Sequence, residues 1–426
     1  MYYCLREQST PPPSDERAAG RPGSDDVERG DVRPDRELLP AWRQEHTPML
    51  ELPGTWRAST PQLTLRQLGP VLERVGITRL ACVTELDCIG IPVAQAIRPG
   101  SRNLSVAQGK GSTMELALVS AAMESIESYH AENLPEPEVV GSFEEVAGRG
   151  QALDPSRLPP GSRHGRYSPD LPMGWLQGVD LETGQPVLMP TGSLSLDSVH
   201  PSTAILHAGT TGLAAGNRIS EALCHGLLEV IERDSGYWWA RLPSDRQRDS
   251  RVDLGTVNHP ALLELLERFR CAQMEVVAWD MTGKTGIPAY RCLLIDRQVF
   301  RGLPGFEGFG CHPGKAVALS RALTESAQGR LTRIAGSRED SLPGGYRSHD
   351  RYRQVRDTDP APGLDFQERP DRTCSGTFER MLEDLLEAVR KAGLGPVVAL
   401  NHTRQDLGVP VVHVLVGGVR SFEAPE

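Results

Sequence analysis

Four polar side chains lie on one stripe of an otherwise apolar stretch near the middle of the chain. They are Glu221, His225, Glu229 and Glu232, spaced at i, i+4, i+8 and i+11, so on a helix they share one face. The rest of residues 219–234 is largely apolar, which is typical of a buried helix, and we expect Ser220 to cap its start. Because buried carboxylates are costly unless they are paired or bind a metal, the stripe predicts a bound cation.

The same pattern occurs three times along the chain. Residues 117–127, 222–232 and 318–328 each begin with Ala-Leu, place Glu at the eighth position and end on Glu or Gln. A glycine precedes each copy, at Gly111, Gly216 and Gly314. The copies are roughly 100 residues apart, which is too far for a solenoid repeat. We therefore predict an α+β fold of pseudo-repeated β-strand/helix units, whose polar stripes converge on one cavity between the helices.

Two Glu-x-x-Glu pairs are the candidate metal ligands. They are Glu124 with Glu127 and Glu229 with Glu232. Such a pair is often solvated surface charge, and this structural reading is the alternative for both. The apolar residues around each pair favour a metal-phosphate site instead. Hard oxygen ligands of this kind suit Mg²⁺, which takes one or two carboxylates together with nucleotide phosphates and waters.

A glycine-rich loop, Gly109–Ser112, opens the first repeat helix. It is not a Walker A loop, because Lys110 is followed by Gly111 rather than by Ser or Thr. It can still present backbone amides and one ammonium group to an anion at a helix N-terminus, or it is only a turn. Asn217 has the same two readings, and His225 fits a hydrogen-bonded core residue. The arginines that flank the repeat helices are either phosphate ligands or surface residues: Arg233, Arg321, Arg330 and Arg333.

Composition and charge exclude several classes of protein. The 426 residues carry 46 Lys and Arg against 56 Asp and Glu, a formal net charge of -10. No basic run is present, and a nucleic-acid groove needs clustered Lys and Arg. No apolar stretch approaches the ~20 residues of a membrane helix, and the N-terminus lacks a signal-peptide pattern. None of the eight cysteines forms a Cys-x-x-Cys pair, so a zinc knuckle is not expected. We expect a cytoplasmic protein that binds neither nucleic acid nor membrane.

The chain divides into a polar tail and one domain. Residues 1–50 are predicted to be a disordered tail, because residues 8–45 are rich in Pro, Gly and charged residues and poor in apolar ones. Residues 60–426 form the domain, with a long polar loop at 336–374 that is either functional or disordered. The pattern predicts helices near 60–75, 113–130, 260–270, 316–334 and 378–392.

The chain resembles the YcaO-domain family from about residue 70 to its end. The resemblance depends on five stretches: Asp87–Val93, Gly109–Gly111, Ser120–Glu127, Gly212–Asn217 and Glu221–Asp234. Gly310–Pro313 and Arg321–Glu325, followed by Ala335–Arg338, are similar to the stand-alone branch that is often encoded beside a TfuA-type protein.

This resemblance implies ATP-dependent activation of a peptide backbone amide, with ATP and Mg²⁺ as cofactors. It implies that Glu124, Glu127, Glu229 and Glu232 hold Mg²⁺. It implies that the nucleotide is contacted by Lys110, Ser120, Asn217, Glu221 and Arg233, with Glu325, Gln328 and Arg330 as third-repeat candidates.

The expected partners are a precursor peptide with leader and core, and a TfuA-like or other leader-binding protein; a homodimer is also expected. A proline-rich C-terminus and a leader-binding domain are absent from the sequence, which favours thioamide formation. Azoline or amidine formation is the alternative within the family. A non-catalytic nucleotide-binding accessory protein is the alternative of a different class.

Overall fold

The computed structural model describes residues 42–160, 167–200, 206, 208–296, 305–340, 363–372 and 376–420. Within these ranges the α-helices are α1 (Pro61–Arg74), α2 (Met114–Glu132), α3 (Phe143–Ala147), α4 (Ile219–Ala240), α5 (Ser244–Asp249), α6 (Pro260–Cys271), α7 (Lys315–Ala335) and α8 (Phe378–Lys391). The strands of the first half are β1 (Leu50–Leu52), β2 (Thr55–Arg57), β3 (Arg79–Cys82), β4 (Val93–Ile97), β5 (Val106–Lys110), β6 (Val139–Gly141), β7 (Met173–Asp180), β8 (Pro186–Pro190) and β9 (Leu213–Ala215). The remaining strands are β10 (Val252–Asp253), β11 (Met274–Asp280), β12 (Ala289–Asp296), β13 (Phe306–Cys311), β14 (Leu364–Asp365), β15 (Val397–Asn401) and β16 (Val411–Val416).

Three strand-to-helix units repeat as the sequence predicts. Strand β5 leads into α2, β9 into α4 and β13 into α7. Helices α2 and α7 each pack on a three-stranded antiparallel sheet, β3-β4-β5 and β11-β12-β13. Helix α4 packs on the largest sheet, of order β6-β7-β15-β16-β9 with β8 paired to β7. The α+β fold and its pseudo-repeated units are therefore confirmed.

Glycines let the helices approach their sheets closely. A Cβ atom on Gly109 of β5 would lie 2.0 Å from the backbone nitrogen of Ala121 in α2. A Cβ atom on Gly308 of β13 would lie 2.1 Å from the carbonyl oxygen of Ala322 in α7. Since any larger residue would push helix and strand apart, these two contacts fix the depth at which each helix presents its polar stripe.

The start of α4 differs from the prediction. The helix begins at Ile219 with Arg218 at the cap position, and no side chain caps it. Ser220 lies inside the helix, fully buried, and its hydroxyl hydrogen-bonds that of Thr47 at 3.3 Å. Polar groups of two distant segments, Glu45 and Thr47 on one side and Glu379 on the other, surround this hydroxyl, and a buried hydroxyl bonds the partners that the fold brings to it.

Residues 42–50, which composition assigns to the tail, are ordered. Trp42 is only 1% exposed and packs into the main core. The backbone N–H of Thr47 donates to Glu379 of α8 at 2.9 Å. One large aromatic side chain buries enough apolar surface to order a short segment. The composition of residues 1–50 taken together does not reveal this single anchoring residue. The rest of the predicted tail, residues 1–41, lies outside the described residues.

The predicted polar loop at 336–374 is only partly a loop. Residues 341–362 and 373–375 lie outside the described residues, whereas β14 pairs in parallel with β10 and Phe366 is buried. In the part of the chain that the structure describes, no helix combines the length and apolar character needed to cross a membrane.

Candidate active site

The three repeat helices line one cavity of about 510 Å³. Equivalent positions of the three copies meet there in layers one helical turn apart. The upper carboxylate layer is Glu124, Glu229 and Glu325, and the lower layer is Glu127, Glu232 and Gln328. A third layer, toward the helix N-termini, is Ser120, His225 and Arg321. The predicted convergence of the polar stripes is thus confirmed.

Backbone groups of the sheets hold the upper carboxylate layer in place. Glu124 accepts a hydrogen bond from the N–H of Gln108. Glu229 accepts one from the N–H of Gly212 at 3.4 Å, and Glu325 accepts one from Phe309 at 3.4 Å. Each donor belongs to the same repeat as its acceptor, on or next to the strand that precedes the helix. The strand-to-helix unit therefore builds the same carboxylate anchor three times.

The first two repeats present carboxylates that resist ionisation. Burial raises the pKa of Glu124 to about 7 and that of Glu232 to about 7, with the charge of Glu325 adding to the effect at Glu232. Burial, followed by the charges of Glu124 and Glu229, raises the pKa of Glu127 well above its usual range. Burial also raises the pKa of Glu229. Four crowded acids of this kind are stabilised by a bound cation.

The third repeat is electrostatically different. The Lys110 ammonium donates to the Glu325 carboxylate. Although burial pushes the pKa of Glu325 up, the cations Lys110 and Arg233 outweigh it and hold that pKa below its usual value. In the lower layer Gln328 replaces an acid, and its amide donates to the carbonyl of Gln108 at 3.1 Å. This repeat supplies a charge-balanced wall rather than a third carboxylate pair.

A polar network closes the cavity at the start of α4. The backbone and side-chain nitrogens of Asn217 donate to one oxygen of Glu221, at 2.9 and 3.0 Å. Thr64 of α1 donates to the Asn217 carbonyl at 2.7 Å. Arg57 of β2 lies 3.7 Å from the other oxygen of Glu221. Asn217 and Glu221 therefore line the cavity as an already bonded pair.

Two arginines show what sequence reasoning reached and what it missed. Arg233 lines the cavity as predicted, with its Nη2 3.5 Å from Glu229 Oε1. Arg57 also lines it but had not been singled out. A lone arginine in a hairpin of two three-residue strands has no periodicity or motif that would mark it. What identifies Arg57 as a cavity residue is its position beside Glu221 in the folded structure.

The structure places one candidate outside the cavity. Arg330 is 2% exposed and is enclosed by Asp87 and Asp296. Its Nε lies 2.9 Å from Asp87 and its Nη2 lies 3.1 Å from Asp296. A buried arginine between two carboxylates holds three segments of the chain together. The other predicted nucleotide and metal residues all line the cavity: Lys110, Ser120, Glu124, Glu127, Asn217, Glu221, Glu229, Glu232, Arg233, Glu325 and Gln328.

The donor set fits Mg²⁺ together with a polyanion better than a bare metal ion. Among the described residues, no group of three or more His, Cys, Asp or Glu side chains is arranged to hold a metal by itself. Each carboxylate pair can supply one or two oxygens, and Mg²⁺ commonly completes its shell with phosphate oxygens and water. Lys110, Arg57 and Arg233 stand around the same space and suit the phosphates.

Comparison with known proteins gives the family. The model of the YcaO cyclodehydratase family, described as binding ATP and Mg²⁺, matches residues 108–420. An uncharacterised protein from the tfuA 3′ region of Rhizobium leguminosarum bv. trifolii is 34% identical over 376 residues, covering 85% of this chain and 88% of that protein. A Methanothermobacter thermautotrophicus protein is 34% identical over 381 residues, covering 86% and 95%.

A solved structure agrees. YcaO from Methanopyrus kandleri, bound with AMPPCP and Mg²⁺, is 28% identical and superposes with a TM-score of 0.71, covering 89% of this chain and 99% of that one. The family description confirms ATP and Mg²⁺ as the predicted cofactors. The tfuA-region relative matches the expected stand-alone branch. The chain therefore belongs to the YcaO family.

Proposed function

We propose that the protein activates a backbone amide of a peptide by ATP-dependent O-phosphorylation and, with a TfuA-like partner, converts that amide into a thioamide. The observation that carries the activation step is the cavity between the helices, which two carboxylate pairs line together with the cations Lys110, Arg57 and Arg233. The observation that favours sulfur is the relative from the tfuA 3′ region, which aligns over 85% of this chain.

The residues of the chain have separable roles in this proposal. Glu124, Glu127, Glu229 and Glu232 would hold Mg²⁺, because their crowded carboxylates gain most from a cation. Lys110 and Arg233 would balance the charge of the phosphates, while Asn217 and Glu221 shape the wall beside them. When bound, ATP supplies the phosphoryl group that turns the amide oxygen into a leaving group.

The sulfur atom comes from outside the chain in this proposal. Cys311 is the cysteine with a suggestive neighbour, His312, but its thiol is 1% exposed. Burial, reinforced by the charge of Glu232, raises the pKa of Cys311 well above its usual value. A protonated thiol closed to solvent is a poor persulfide carrier, since the thiolate is the nucleophile.

Mass spectrometry of the peptide product tests this function. ATP, Mg²⁺, the precursor peptide, sulfide and the TfuA-like protein together should give a product heavier by the oxygen-to-sulfur difference. Omitting ATP or sulfide should leave the peptide unchanged. A dehydrated product formed without sulfide would instead assign azoline or amidine formation.

Phosphate release separates these enzyme readings from a non-catalytic accessory role. We expect ATP turnover that depends on the peptide. Nucleotide binding with no turnover in the complete mixture would contradict catalysis. The homodimer expected from the sequence stays a prediction, to be checked by light scattering.

A further inference from the structure

The second repeat anchors its upper carboxylate differently from the other two. In the first repeat the anchoring N–H belongs to Gln108, inside β5, which pairs with β4. In the third repeat it belongs to Phe309, inside β13, which pairs with β12. In the second repeat it belongs to Gly212, and β9 begins only at Leu213. The peptide unit that carries this N–H, between Thr211 and Gly212, therefore lies just before the strand.

A histidine side chain holds the other end of this peptide unit. The carbonyl oxygen of Thr211 lies 3.2 Å from Nε2 of His413, and the N–H of Gly212 donates to Oε2 of Glu229 at 3.4 Å. Since a carbonyl oxygen can only accept, Nε2 carries the proton. The imidazole, one planar peptide unit and the carboxylate thus form a chain of two hydrogen bonds, and turning the peptide plane would break both.

The position of His413 restricts it to this indirect role. The residue is 1% exposed and lies in β16, in register with Leu213 of β9. The described residues that line the active-site cavity do not include it. Its Nδ1 is buried and has no hydrogen-bond partner among the described residues. A neutral ring with its proton on Nε2 leaves no buried donor unmatched, so this form suits the site.

Glu229 depends on few contacts for its orientation. Its Oε1 lies 3.5 Å from Nη2 of Arg233, and its Oε2 accepts from Gly212. Hydrogen bonds in a chain polarise one another, so donation by His413 makes the Gly212 N–H a stronger donor. We propose that His413 is a positioning residue that holds Glu229 in place for Mg²⁺ by orienting the peptide unit between Thr211 and Gly212. This inference rests on the Mg²⁺ role that the proposed function gives to Glu229.

Three substitutions at His413 test this role. His413→Phe keeps a ring and removes the donor, whereas His413→Gln keeps an N–H at the same distance along the side chain. The apparent dissociation constant of Mg²⁺, measured by calorimetry with AMPPCP present, should rise about fivefold in His413→Phe, as expected for one hydrogen bond. It should stay within about twofold of wild type in His413→Gln. His413→Asn is too short to reach Thr211, should bind as weakly as His413→Phe, and replaces that variant if it does not fold.

His402 offers a matched control. It is buried beside His413, with ring centroids 6.0 Å apart, and its Nε2 has no hydrogen-bond partner among the described residues. His402→Phe makes the same change in the same core without removing a donor to Thr211, so Mg²⁺ affinity should stay within about twofold of wild type. Melting temperatures separate a loss of folding from a loss of affinity.

A double-mutant cycle shows whether His413 acts through Glu229. Glu229→Ala removes the carboxylate that the Gly212 N–H holds, so adding His413→Phe should weaken Mg²⁺ binding by less than about twofold further. A further fivefold loss would overturn the proposal, because His413 would then act on the fold as a whole. Equal Mg²⁺ affinity in Glu229→Ala and wild type would overturn it as well, since Glu229 would not be a ligand.

The amide proton of Gly212 gives a readout in protein free of metal and nucleotide. His413→Gln and His413→Asn both lack a ring, so ring currents do not separate their NMR spectra. Because donation to Thr211 polarises the peptide unit, the Gly212 proton should resonate further downfield in His413→Gln than in His413→Asn. Equal positions would overturn the proposal. If wild-type protein makes no thioamide while Mg²⁺ affinity and this resonance change as expected, the proposed reaction fails and the role of His413 stands.

Discussion

The first two repeats and the third repeat share a scaffold but not a charge. In each, a strand with a glycine within or beside it, together with the helix that follows, places a glutamate on the cavity and anchors it to a backbone N–H. The first two repeats add a second acid one turn later, whereas the third adds Gln328 and pairs Glu325 with Lys110. The comparison shows that the repeated strand-to-helix unit determines where a carboxylate lies, whereas the charged groups next to that carboxylate determine whether it is available to a metal ion.

The largest difference between the repeats should appear on neutralising one carboxylate. Glu229→Gln removes a metal-ligand charge with little change of shape, and ATP turnover should fall by about 1000-fold. Glu325→Gln, at the equivalent position of the third repeat, should lose about tenfold or less. Phosphate release measured at saturating Mg²⁺ checks both.

The controls concern folding and surface charge. Glu387→Gln makes the same change on the exposed face of α8 and should leave turnover unchanged. Melting temperatures identify any variant that fails to fold. Equal losses in Glu229→Gln and Glu325→Gln would mean that all three repeats bind metal alike, against the distinction drawn from Lys110.

The next effect concerns the cation that sets the third repeat apart. Lys110→Met removes the ammonium that is bonded to Glu325 and leaves Arg233 as the main remaining counter-charge, so the carboxylate is only partly compensated and the KM for ATP should rise by roughly tenfold to 100-fold. Adding Glu325→Gln removes that charge and should recover most of the loss if pairing is the role of Lys110.

The double variant distinguishes two roles. Should Lys110→Met with Glu325→Gln remain as weak as Lys110→Met alone, Lys110 acts on the phosphates directly. Isothermal titration with AMPPCP and Mg²⁺ measures the affinity, and the coupling energy follows from the four proteins of the cycle.

Sequence patterns predicted the repeats because each repeat helix depends mainly on the residues within it. Residues 316–334 were predicted as the third repeat helix, and the helix spans Lys315–Ala335. The equal spacing of Glu and of Glu or Gln in the three copies puts these residues on one face of each helix, and the repetition of that face in three copies was the basis for predicting that they converge on one cavity. This is why nearly all of the predicted cavity residues do line it.

What the sequence could not supply depends on contacts between distant segments. Arg57 reaches the cavity only through the packing of the β1–β2 hairpin against α4, and Trp42 is ordered by a core formed hundreds of residues later. Arg330 follows Gln328 by two positions, which turns it about 200° around the helix. It therefore meets Asp87 and Asp296 instead of the cavity.

A smaller effect, on folding stability at acid pH, should be shared by the first two repeats. One histidine is buried in α2 of the first repeat, His130, and one in the sheet on which α4 of the second repeat packs, His413 of β16; burial lowers the pKa of each to about 4 from an ordinary 6.5. Between these values the unfolded chain binds more protons than the folded one, so stability present above pH 6.5 is lost as the pH falls toward 4. Each histidine should cost up to about 3 kcal/mol over that window.

Urea unfolding of wild type and His413→Gln checks this pH dependence. The amide of glutamine can still donate toward the carbonyl of Thr211, which His413 contacts at 3.2 Å. The free energy of unfolding of the variant should fall less steeply with acidification than that of wild type, and the difference in slope should correspond to about one bound proton. Equal slopes in the two proteins would show that His413 does not titrate with folding, and the exposed His200→Gln should behave as wild type.

The smallest expected effect is at Cys311, at the end of the third repeat's strand. If sulfur is delivered from outside, Cys311→Ala should give the thioamide at a yield within about twofold of wild type, because the thiol is buried and held protonated. Truncating a buried side chain leaves a small cavity, so a loss of about 1 kcal/mol in unfolding free energy is expected. Mass spectrometry of the product measures the yield, and Cys271→Ala, at an exposed cysteine, is the matched control. A Cys311→Ala protein that folds and binds AMPPCP with Mg²⁺, yet makes no thioamide, would assign sulfur handling to this chain and place it at the end of the third repeat's strand.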